Sequence, residues 1–127
     1  MKVLIVDDEP DIRQLVRLYL ELDGRFDVVG EGINGEDAVR LAASTHPQAI
    51  VLDINMPIMN GLDAIPLIRI QSPETKILLY SASADVATLM EASLSADDWM
   101  SKTDPVDKLL ERLTKLASSS PVNSHAA

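Results

Sequence analysis

The stretch from Gln48 to Pro57 constrains this chain more than any other. Ala49 to Leu52 is wholly apolar, Asp53 ends the run abruptly, and Pro57 stops any regular continuation. An apolar run without alternation reads as a strand buried on both faces, as in a parallel sheet between two helix layers. Such a strand delivers its last side chain to the carboxyl edge of the sheet, where ligands bind in open α/β folds. Alone, Asp53 is equally readable as a turn or cap residue. The other strands tip the balance.

Lys2 to Val6 is a second unbroken run, and it ends in Asp7-Asp8-Glu9. Pro10 suits the first turn of a helix, where its missing N–H costs nothing. Ile12, Leu15, Val16 and Tyr19 then recur at helical spacing up to Gly24. Phe26 to Val29 predicts a shorter strand at a sheet edge. Asn34 caps a helix carrying Ala38, Val39, Leu41 and Ala42, closed before Pro47. After Asp53, the breakers Pro57, Asn60 and Gly61 mark a loop. Pro66 fits the following helix if Asp63 is the cap, because it then falls in the first turn. Ile65, Leu67, Ile68 and Ile70 predict that this helix is well covered.

Lys76 to Ser81 predicts a fourth strand, ending in a hydroxyl. A helix from about Asp85 to Leu94 follows, with Val86, Leu89, Met90 and Leu94 on one stripe. Asp98 to Lys102 predicts a weaker fifth strand ending in a lysine. Asp104 caps the last helix, Pro105 opens it, and Val106, Leu109, Leu110, Leu113 and Leu116 form its buried face. Residues 1–117 thus read as one domain, and 118–127 as a polar linker or frayed tail. Strand and helix alternating five times predict a single parallel sheet covered on both faces, with right-handed crossovers.

Composition narrows the function. With 127 residues and 46% apolar content there is material for one real core. A net charge of −9 disfavours binding to nucleic-acid backbones, which depends on Lys and Arg. Without cysteine, disulfides, thiol catalysis and thiolate metal sites are excluded. No apolar run approaches the ~18 residues of a membrane span, and the N-terminus is too short for a signal peptide. A soluble, cytoplasmic, acidic domain is the expectation. His46 and His125 are read as exposed and not catalytic.

All strands of a parallel sheet share one carboxyl edge. Asp7 and Asp8 end the first strand, Asp53 the third, Ser81 the fourth and Lys102 the fifth. Each has an ordinary explanation by itself; their joint arrival at one edge does not. Close carboxylates repel by up to ~4 kcal/mol per pair at an effective dielectric near 20. Such a cluster must take up protons, bind a cation or lose stability. An all-oxygen anionic pocket suits Mg²⁺, which keeps several waters for a phosphate to displace. A lysine and a hydroxyl beside it complete a receptacle for a phosphoryl group, with Asp53 as a nucleophile that forms an acyl phosphate.

Asp7-Asp8-Glu9, Leu52 to Pro57 with Asn60-Gly61, Ser81-Ala82 and Lys102 together resemble the receiver domain of two-component response regulators. The likeness runs from about Lys2 to Leu116. It implies a flavodoxin-like (βα)5 fold with strand order 2-1-3-4-5, an order known from a family member, the chemotaxis regulator. It implies that Asp53 accepts phosphate from a sensor histidine kinase or phosphotransfer protein. Asp8 and Asp53 would ligate Mg²⁺ directly, Asp7 through water and Asn55 through its carbonyl. Lys102 and Ser81 would contact the phosphoryl group, and Trp99 would turn inward with Ser81 to signal to an output domain, a partner or a second copy. Two departures stand out. Thr103 replaces the family's proline after the lysine, so the preceding bond is expected trans, since a cis bond there costs ~2.5–4 kcal/mol. Ser95 stands where glycine is common. The resemblance also implies that Asn55 and Ser83 occupy positions that tune dephosphorylation in the family.

Two other readings share the motif. A Mg²⁺-dependent phosphatase forming an aspartyl phosphate would want a second acid two residues after the nucleophile, where this chain has Asn55. A receiver-shaped docking module that takes no phosphate would have no need of Asp7, Asp8, Asp53, Ser81 and Lys102 together.

Overall fold

Because the strand runs are apolar at consecutive positions, their side chains alternate between two cores rather than between core and water. The computed structural model describes residues 1–82 and 85–118. In chain order the elements are β1 (Lys2–Val6), α1 (Pro10–Asp23), β2 (Asp27–Gly32), α2 (Gly35–Thr45) and β3 (Ala49–Leu52). They continue with α3 (Gly61–Gln71), β4 (Lys76–Ser81), α4 (Val86–Ser95), β5 (Asp98–Ser101) and α5 (Val106–Ser118). The five strands pair in parallel in the order β2-β1-β3-β4-β5. This is the expected flavodoxin-like arrangement, with β2 at one edge and β5 at the other.

Leu4, Val6, Ile50, Leu52, Ile77 and Leu79 point to one face, against residues of α2, α3 and α4 such as Ala38, Ile65, Ile68 and Ala92. Val3, Ile5, Val51, Leu78 and Met100 point to the other, against Val16 and Leu20 of α1 and Leu109 and Leu113 of α5. Each large apolar side chain so enclosed contributes about 1.5–3 kcal/mol relative to exposure. Carboxylates cannot share that interior cheaply, so they collect where the strands run out.

Several local expectations need correction. The buried positions of α1 are Val16 and Leu20, with Ile12 packed at their side, whereas Leu15 and Tyr19 are exposed. The i, i+4, i+8 row faces the sheet, and its neighbours rotate outward. β2 extends to Gly32, with a register irregularity opposite Val3 and Leu4 that inserts Val29. The cap of α3 is Asn60, whose side chain accepts from the Asp63 N–H, so the helix starts at Gly61 and Pro66 lies in its interior. That proline is exposed and leaves the Leu62 carbonyl without its usual i+4 donor; burial of Ala64, Ile65 and Ile68 offsets the loss. Leu67 and Ile70 are exposed, so this helix is covered on one side only.

On α4, capped by Asp85, the apolar stripe faces outward: Val86, Met90 and Leu94 are exposed and only Ala92 is buried. The last helix begins at Val106, one residue after Pro105, and runs through Ser118. Asn34 caps α2 as expected, and Gly24 ends α1 in the left-handed conformation. Among the described residues every peptide bond is trans, that between Lys102 and Thr103 included. Ser83, His125 and the tail from 119 onward lie outside the described residues. Among the described residues no helix is long and apolar enough to cross a membrane.

Candidate functional site

β1 and β3 lie side by side, so Asp7 and Asp53, each one residue past its strand, emerge together. The Asp53 N–H donates to the Val6 carbonyl at 2.9 Å and the Asp7 N–H to the Gly32 carbonyl at 3.0 Å, extending the ladder into the site. Arg13 of α1 pins the Asp7 carbonyl at 2.7 Å. Both acids are nearly buried, at 3% and 4% exposure. Asp8 and Glu9 are exposed on the rim, and carboxylate oxygens of Asp7, Asp8, Glu9 and Asp53 can all lie within 4.8 Å of one another.

Opposite them stands Lys102, directly after β5, its side chain only 7% exposed. Its ammonium lies 2.7 Å from Asp7 Oδ2, 3.0 Å from Glu9 Oε1 and 3.4 Å from Asp53 Oδ2. Lys102 pairs with three of the four clustered acids, so negative charge predominates among them. Burial, and after it the charge of Asp7, push Asp53 up to about 6, against the opposing pull of Lys102. Burial also raises Asp7, although Lys102 and the Glu9 N–H stabilise its carboxylate. For Lys102 burial works against the charge, but hydrogen bonds to Asp7 and Glu9 and the nearby Asp53 carboxylate prevail and keep it cationic. All-oxygen donors at this spacing, with two of the acids open to solvent, suit a hard divalent cation.

The loop after Asp53 is tightly held. The Ile54 N–H donates to Asp53 Oδ1 at 2.8 Å, fixing the carboxylate's orientation. The Gly61 N–H donates to the Ile54 carbonyl, and a Cβ on Gly61 would sit 2.0 Å from the Asp53 carbonyl oxygen. Only glycine lets α3 start so close to the strand it follows. Between them, Met59 N–H donates to the Pro57 carbonyl across Ile58, which has φ 70° and is 76% exposed. That is a γ-turn with a β-branched residue in the left-handed region, a strained combination.

Ser81 ends β4 and is buried, whereas Asn55, two residues past Asp53, is exposed. Trp99 lies on β5, 39% exposed. It borders a cavity of about 240 Å³ whose walls include Ile54, Leu79, Leu89, Met100 and Ser81. The structure thus brings Asp7, Asp8, Asp53 and Lys102 into one pocket, whereas Ser81 and Trp99 are found lining the apolar cavity. The sequence reading assigned no part to Glu9. Its place directly after Asp7-Asp8 was the available signal, but a third rim acid looks like ordinary solvated charge until Lys102 is seen to reach it.

A doubly wound parallel sheet carrying an acidic, lysine-bearing pocket at its carboxyl edge defines a flavodoxin-like α/β domain with a cation-ready site. The chain belongs to the response regulator receiver domain family, whose model matches residues 3–114. It is 34% identical over 120 residues to a nitrate/nitrite response regulator protein homolog of Haemophilus influenzae, covering 92% of this chain and 57% of that protein. It is 35% identical over 118 residues to the chemotaxis protein CheY of Listeria monocytogenes, covering 92% of this chain and 98% of that one. The response regulator domain of Thermotoga maritima CheB superposes with a TM-score of 0.85 at 26% identity, over 95% of this chain and 98% of that chain. The chain therefore spans a little over half of the nitrate/nitrite relative and nearly all of the chemotaxis one.

Proposed function

We propose that this chain is a phosphorylation-activated switch: Asp53 accepts a phosphoryl group from a phosphohistidine on a sensor kinase or phosphotransfer protein. The observation that carries this reading is the convergence of Asp53, Asp7 and Lys102 within hydrogen-bonding reach at one sheet edge. A carboxylate oxygen of Asp53 forms a bond to phosphorus as the donor's P–N bond breaks, and the departing imidazole takes up a proton. Lys102 stabilises charge on the phosphoryl oxygens, and Asp7 holds that ammonium in place. Asp8, Asp53 and the carbonyl of Asn55 would hold Mg²⁺, with Asp7 acting through water. When bound, Mg²⁺ neutralises the acids and orients the phosphoryl group for in-line transfer.

The switch belongs to Ser81 and Trp99. A new phosphoryl group offers Ser81 a strong acceptor. Movement of Ser81 reshapes the wall of the apolar cavity, into which the Trp99 side chain turns. That rotation alters the outer surface of β5 and α4, which would address an output domain, a partner or a second copy of this chain.

Incubation with acetyl phosphate and Mg²⁺ tests the chemistry by intact mass. The wild type is expected to gain one acid-labile phosphate, and Asp53→Asn none, with an unchanged circular dichroism spectrum. Label retained by Asp53→Asn at an acid-stable site would refute the assignment of the acceptor.

A further inference from the structure

A lysine ammonium has three N–H donors, and Lys102 already faces three carboxylates, those of Asp7, Glu9 and Asp53. A phosphoryl group entering on Asp53 needs at least one of those donors. Asp7 is poorly placed to yield, being buried, with its other oxygen accepting the Glu9 N–H at 2.8 Å. Glu9 differs. Its side chain is 58% exposed, and although it is the N-cap residue of α1 it makes no capping hydrogen bond to that helix. The side chain instead reaches across the pocket to a residue 93 positions away in sequence. Helix α1 loses no capping hydrogen bond if that side chain swings out to water.

We propose that Glu9 is a positioning residue that holds Lys102 at the mouth of the resting pocket and, through its own negative charge, resists small anionic phosphodonors until it releases the ammonium to the phosphoryl group. The inference rests on Asp53 being the phosphoacceptor. A protein donor that binds through a wider surface can offset the repulsion with contacts elsewhere, whereas a free acyl phosphate cannot. Glu9 thereby favours protein-borne phosphohistidine over free small-molecule donors.

The test compares wild type, Glu9→Gln and Glu9→Ala by titration with beryllofluoride in Mg²⁺, followed through the fluorescence of Trp99, the chain's one tryptophan. Mg²⁺ alone is titrated in parallel. Removing one rim charge should tighten beryllofluoride binding roughly threefold to tenfold at low salt and speed modification by acetyl phosphate to a similar degree. The advantage should shrink at about 1 M salt, where the Debye length falls to ~3 Å, a response that a purely structural role would not produce. Mg²⁺ affinity should fall by less than about threefold. Unchanged or weaker beryllofluoride binding in both variants would overturn the inference while leaving the proposed function standing. A loss of Mg²⁺ affinity beyond about tenfold would overturn it too, making Glu9 a metal ligand instead. Failure of the wild type itself to bind beryllofluoride would remove the proposed function, and this inference with it.

Discussion

Asp53 sits in an environment that disfavours its own charge. With its carboxyl raised to about 6 by burial and by Asp7, the folded chain holds a proton there more tightly than the unfolded chain does. The sign follows from linkage: stability is greatest below pH 4 as far as this group is concerned, and declines as pH rises through about 6. The loss is on the order of 2–3 kcal/mol at neutral pH without metal. Asp53→Asn should therefore stabilise the metal-free protein at pH 7.5 by that order, with the gain vanishing near pH 4. Urea denaturation at the two pH values measures it, and an Asn variant no more stable than wild type at pH 7.5 would contradict this account. Asp7, Asp8, Asp53 and Ser81 are legible in the sequence because they stand where apolar runs stop, and Lys102 because it closes the weaker fifth strand. Glu9 is not, since contact with Lys102 depends on how β1 and β5 are spaced across the sheet.

At the level of elements, the sequence locates β1, β3, β4 and β5 to within a residue but stops β2 three residues short of Gly32, and it places the helix faces less well. A buried strand announces itself by composition, but a helix half-covered by a sheet must be read by phase. In α1 both Leu15–Tyr19 and Val16–Leu20 are pairs spaced by four, and only the sheet's position selects the second. The sequence marks an apolar stripe on α4 without saying which way it faces, because periodicity reports a face and not which neighbour it meets; in the structure Val86, Met90 and Leu94 are exposed. Leu20→Ala should cost about 2–5 kcal/mol, whereas Leu22→Ala, at a position 75% exposed, should change stability by less than ~0.5 kcal/mol. Equal losses in chemical denaturation would reverse the phase assigned here. The strained turn gives a prediction of opposite sign. Ile58→Asn, which tolerates positive φ better, should raise stability by about 1 kcal/mol; a lower denaturation midpoint would count against the strain.

For the molecule as a whole, strand order divides the site unequally. β1 and β3, which present the acids, are flanked by strands on both sides, whereas β5, which presents Lys102, is paired only to β4. If Mg²⁺ relieves the crowding among the acids, it should stabilise the fold by about 2.7 kcal/mol at a hundredfold excess over its dissociation constant. That effect should be largest above pH 6, and an unchanged urea midpoint at pH 8 would argue against a bound cation. The fold was legible from five repetitions of one pattern, but which strands would be mechanically supported on two sides was legible only from the known order.

The outermost strand has a consequence for how information leaves the pocket. A displacement beginning at Lys102 or Trp99 would meet resistance from one neighbouring strand only, so it would spread along β5 and toward Arg112 of α5 before it strains the centre. In the proposed switch, covalent change at Asp53 would thus be anchored on a strand held from both sides and read out along one held from a single side.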